Sequence, residues 1–201
     1  MFSGCYCLGV LIESAARWVL VLHTLVGVAA VGAATHLVLW LRKYVRGQSG
    51  KRRAVVRFAW LVLVLQVGAF IAGNVMYPTY KVQVRTAYLE NASAITAAET
   101  AKQRELEKVA AREGSEVPQQ SATVDIVRRA ASAARWFDVK EHWIALGILV
   151  SGALIVILSL WDPKRDGTVI APIVMTLAVI AAGTIWLGAV IGVLTASWRA
   201  V

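Results

Sequence analysis

Cysteine, histidine, proline and acid are all scarce in this sequence. Its 201 residues hold two Cys, three His, four Pro and twelve Asp plus Glu. Cys5 and Cys7 form a lone C-x-C; a structural zinc site takes about four protein ligands, so two incidental thiols are expected. No metal-ligand cluster and no nucleophile–base pairing is legible, and a catalytic centre is not expected. The pattern of a cleavable signal peptide is missing as well. The first sixteen residues carry Glu13 and no basic residue, and the apolar run that follows is too long for a signal core.

Acid is absent altogether from 42–57, which holds Arg42, Lys43, Arg46, Lys51, Arg52, Arg53 and Arg57. Those seven charges account for +7 of the net +9. Nucleic-acid binding would need an aromatic or glycine pattern beside the charge, and none accompanies it. What surrounds the basic stretch explains it better. The chain is 58% hydrophobic with a mean hydropathy of +0.64 and eight Trp, against about 45–50% apolar residues in a soluble domain. The excess gathers in four nearly uncharged runs, 18–41, 58–76, 143–161 and 169–198. Each is long enough to cross ~30 Å of hydrocarbon at ~1.5 Å per residue.

An all-α integral membrane protein with four transmembrane helices is therefore expected. A short loop as basic as 42–57 marks the cytoplasmic side and touches anionic lipid; Lys164 and Arg165 in "WDPKRDG" fall on the same side. Both termini and 78–140 then lie outside the cytoplasm, and a bacterial inner membrane is the expected location. Trp18, Trp136, Trp143 and Trp198 fall at outer ends, and Trp40, Trp60 and Trp161 near inner ends, as indole rings prefer.

Three segments follow: 1–77 with helices 1 and 2, 78–140 as an extracytoplasmic helical hairpin, and 141–201 with helices 3 and 4. The outer segment mixes ten basic and eight acidic residues. "ITAAETAKQRELEKVAARE" favours helix by propensity, Gly114 and Pro118 break it, and Ser121 or Thr123 can cap the next helix. "YKVQVR" alternates apolar and polar residues, so Tyr80 to Arg85 suits either a helix or a short strand.

The candidate site lies in "WFDVKEHWIALG", where charge crowds against an apolar run. Asp138, Glu141 and His142 share one helical face, and Lys81 and Arg85 lie at the matching height on the preceding helix. An ion-pair collar of Lys81, Arg85, Asp138 and Glu141 is the first expectation. The alternative is a b-type haem electron-transfer membrane subunit, with His23 and His142 as axial ligands and Asp138 holding the far nitrogen of His142. His36 lies about 220° from His23 around the helix and would not share that face. A small-solute or ion transporter is the third class, although no acid occurs in the membrane interior, where transporters place ionisable groups. The leading expectation is a non-catalytic membrane subunit whose hairpin docks other membrane or extracytoplasmic subunits, for example in an energy-transducing complex.

Overall fold

The computed structural model describes residues 3–47, 52–116 and 123–197, with side chains described over 17–47, 52–116 and 124–196. Lys51, Pro118, Ser121 and Trp198, and the side chains of Cys5, Cys7 and Thr123, lie outside what is described. Helices α1 (Ser3–Val45), α2 (Arg52–Tyr80), α3 (Ala92–Glu113), α4 (Thr123–Leu160), α5 (Pro163–Asp166) and α6 (Ala171–Ser197) follow in order, with a π-helix at Lys81–Leu89. The protein is all-α, with no strand among the described residues.

Among the described residues, four stretches are long and apolar enough to cross a membrane: Arg17–Val45, Arg52–Leu89, Val124–Leu160 and Ala171–Ala196. They extend beyond the apolar runs because helix propensity and capping, rather than hydropathy, decide where a helix ends. Asn91 caps α3 by accepting from the Ala94 N–H at 3.1 Å. Gly114 ends it at φ 65°, a left-handed conformation open to glycine at little cost.

The stretch "YKVQVR" is helical throughout: Tyr80 ends α2, and Lys81 to Arg85 are π-helical. Pro78 lies inside α2 and withholds the N–H that would bond one turn back. Directly beyond Tyr80 the ladder widens to the π form, with the Glu90 N–H donating to the Arg85 carbonyl at 2.8 Å. π-Helical turns are rare and gather at functional sites.

The chain divides into two compact units, Met1–Met76 with Val139–Leu194, and Tyr77–Asp138 with Thr195–Val201. In the first, the core joins Ala34, Leu37 and Leu41 of α1, Val55 and Val62 of α2, Leu154 and Leu158 of α4, and Val174 and Ala178 of α6. Small residues among them let helices approach closely. The outward faces stay apolar, with Leu25, Val64, Leu149 and Val193 exposed. In the second unit a smaller core unites Leu89, Ile95, Ala130 and Ala134.

Candidate functional site

Arg85 organises the second unit. Its Nη1 donates to Asp138 Oδ1 at 2.7 Å, and its Nε donates to Glu90 Oε1 at 2.6 Å. Arg85 and Glu90 are five residues apart, a spacing that one π-helical turn brings together. An α-helical reading looks at three and four, so Glu90 was missed as a partner. Tyr80 stacks on Phe137 with ring centroids 4.0 Å apart, and Tyr77 lies 6.5 Å from the same ring. Offset aromatic contacts of this kind hold helices together beyond their buried area. Lys81 is exposed and makes no ion pair among the described residues. Glu141 is half-buried and belongs to the first unit.

The first unit holds a polar cluster. Gln66 of α2, Ser151 of α4 and Thr184 of α6 are its buried polar side chains, at 2–3% exposure. Ser151 Oγ donates to Gln66 Oε1 at 2.9 Å, and Thr184 Oγ1 donates to the Ala181 carbonyl at 2.8 Å. Gly147 makes the room: a Cβ there would collide with Thr184 Oγ1 and with Gln66 Nε2. Gln66 Nε2 itself has no hydrogen-bond partner among the described residues. The sequence shows each of these residues, and gives no sign that three helices bring them to one point.

Helix α1 is tied to its neighbours by polar contacts too. His23 Nδ1 donates to the Ala69 carbonyl at 2.9 Å; a carbonyl only accepts, so Nδ1 carries the proton. Its ring rests against Gly73, whose missing side chain leaves the space. His36 Nδ1 donates to the Gly32 carbonyl one turn back at 3.0 Å, and His142 is exposed on α4. The Trp186 indole N–H donates to Thr35 Oγ1 at 3.1 Å. Two surface concavities, of about 620 Å3 along α3 and about 350 Å3 beside Trp161, touch neither His23 nor His142.

Basic residues Arg42, Lys43, Arg46, Arg53 and Arg57 are exposed. Arg52 differs, since its Nη2 donates to the Ser159 carbonyl at 2.6 Å and so caps the end of α4. The adjoining turn is braced from both sides. Asp162 Oδ1 accepts from the Lys164 N–H at 3.0 Å, and Asp166 Oδ2 accepts from the Asp162 N–H at 2.9 Å. The Arg165 guanidinium, together with that Asp162 N–H, holds the Asp166 carboxyl below the usual carboxylate range. Comparison with protein families, curated proteins and solved structures gives no match, and function must be argued from these residues themselves.

Proposed function

We propose that this protein is a non-catalytic integral membrane subunit that anchors an outward-facing helical segment for docking other subunits. The observation that carries the reading is a contrast between the two units. The first exposes large apolar side chains along helices of spanning length, such as Leu25, Val64, Leu149 and Val193. Burying these in lipid is favourable by roughly 25 cal/mol per Å2 of apolar surface. The second exposes charge on α3, where Lys108 and Glu105 pair at 2.7 Å on its surface. In this arrangement the basic stretch 42–57 and the turn at Lys164 and Arg165 face the cytoplasm, and α3 faces the other side.

Labelling with a membrane-impermeant thiol reagent tests the anchor, in a background carrying Cys5→Ser and Cys7→Ser. Ser115→Cys should react from outside in intact cells, and Ser49→Cys only after permeabilisation. Reaction of both from one side would overturn the topology. A photo-crosslinking residue at Glu105 tests docking: a discrete adduct should form in native membranes, and the same residue at Val64 should give lipid adducts only. If position 105 gives no discrete adduct, the docking role is wrong.

A further inference from the structure

We infer that the groove beside Trp161 is a binding site for an anionic phospholipid, with its phosphate at Arg165 and an acyl chain along Ile157, Leu160 and Ile170. The inference rests on the membrane reading above. The groove has a volume of about 350 Å3 and lies where the end of α4 turns into α5. Its wall is apolar. Trp161 is 5% exposed and its indole N–H donates to the Gly167 carbonyl at 3.1 Å, so the polar edge of the ring is already engaged. Leu160, at 71% exposure, projects outward from the same rim. An apolar slot at the end of a spanning helix is filled by whatever chain the bilayer supplies.

The head of the groove carries the selectivity. Arg165 donates from Nε to Asp166 Oδ1 at 2.8 Å and from Nη2 to Asp166 Oδ2 at 3.1 Å. Nη2 also donates to the Leu160 carbonyl at 3.3 Å. One edge of the guanidinium is thereby fixed, while Nη1 finds no acceptor among the described residues. Both Asp166 oxygens are engaged inside the turn, Oδ1 by Arg165 and Oδ2 by Arg165 and the Asp162 N–H. Lys164 is exposed next to it, and Arg52 holds a second guanidinium at the same helix end. With Nε and Nη2 engaged, Nη1 alone is left to donate, and its two N–H groups suit a phosphate oxygen. The braced turn keeps it there without loss of side-chain freedom on binding.

Full-length protein in detergent tests this by thermal unfolding and native mass spectrometry. The probes are dioleoyl phosphatidylglycerol, dioleoyl phosphatidylcholine and free glycerol 3-phosphate. Phosphatidylglycerol should raise the melting temperature and remain bound, with phosphatidylcholine weaker and glycerol 3-phosphate without effect. Arg165→Gln should weaken phosphatidylglycerol about tenfold, the scale of one lost charge-assisted hydrogen bond. Arg165→Lys, which keeps the charge but not the fixed planar group, should recover only part of the preference, and a recovery above Arg165→Gln separates the loss of charge from a disturbed turn. Arg53→Gln, on the exposed basic stretch, should change little. Equal binding of the two lipids, or equal losses from Arg53→Gln and Arg165→Gln, would overturn the site in favour of diffuse attraction. Tight binding of glycerol 3-phosphate alone would show a soluble-anion site and overturn the lipid. Should the protein stay soluble without detergent, the membrane reading itself fails, and this separates the two.

Discussion

A single missing side chain decides how three helices meet. Gly147 lets Gln66 and Thr184 enter the space its own Cβ would occupy. Gly147→Ala should therefore cost about 1–3 kcal/mol, the usual range for overpacking a buried site. Gly152→Ala on the same helix meets nothing within 4 Å and should be neutral or slightly stabilising. Thermal unfolding in detergent checks the pair, and equal effects would show that the close approach is not real. Gln66 bears on the same point from the other side. Its Nε2 is buried without a partner among the described residues, while its Oε1 accepts from Ser151 Oγ, so Gln66→Leu combined with Ser151→Ala, which removes both partners, should leave stability within about 1 kcal/mol or improve it. A loss above about 2 kcal/mol would mean that the amide donates to a group not seen here. The sequence shows Gln66, Ser151 and Thr184 as deep polar residues, and Gly147 with Ser151 as a small-residue pair. Their meeting was not legible, because the relative rotation of three helices is a tertiary quantity that no one-dimensional spacing encodes.

Among the elements, the four helices long and apolar enough to cross a membrane were legible and their continuation was not. Apolar runs of spanning length have few other uses. Beyond Pro78, local signals conflict: alternation suggests strand, while the flanking composition suggests helix. The π-helix resolves the conflict by keeping a helical ladder with one residue more per turn. It also makes Arg85–Glu90 a natural pair alongside Arg85–Asp138. Arg85 is 23% exposed at its side chain and Asp138 40%, so solvent screens the contact. A double-mutant cycle with Arg85→Gln and Asp138→Asn should give a coupling of about 0.5–1 kcal/mol, near the upper end for surface pairs. Hydrogen exchange over 81–89 provides a second readout. Arg85→Gln should speed exchange there more than Lys81→Gln, because Lys81 has no ion pair among the described residues. Purely additive energies would show that Arg85 and Asp138 do not hold each other.

For the molecule as a whole, the proposed orientation rests on the basic stretch, and its residues do not all work alike. Arg52 grips the carbonyl end of α4, so its loss would weaken packing as well as alter charge. Arg42, Lys43, Arg46, Arg53 and Arg57 are exposed and can be removed without touching that cap. Replacing those five with Gln, and keeping Arg52, isolates the charge bias that orients short loops during insertion. The expected outcome is a mixed population, in which a thiol at position 115 reacts partly from outside and partly only after permeabilisation. Melting temperature in detergent should hardly change, since none of the five is buried. If the thiol at 115 still reacts wholly from outside, the bias of this stretch does not set the orientation. The charged helices of 78–140 would then set it, resisting or directing their own transfer across the membrane regardless of the loop.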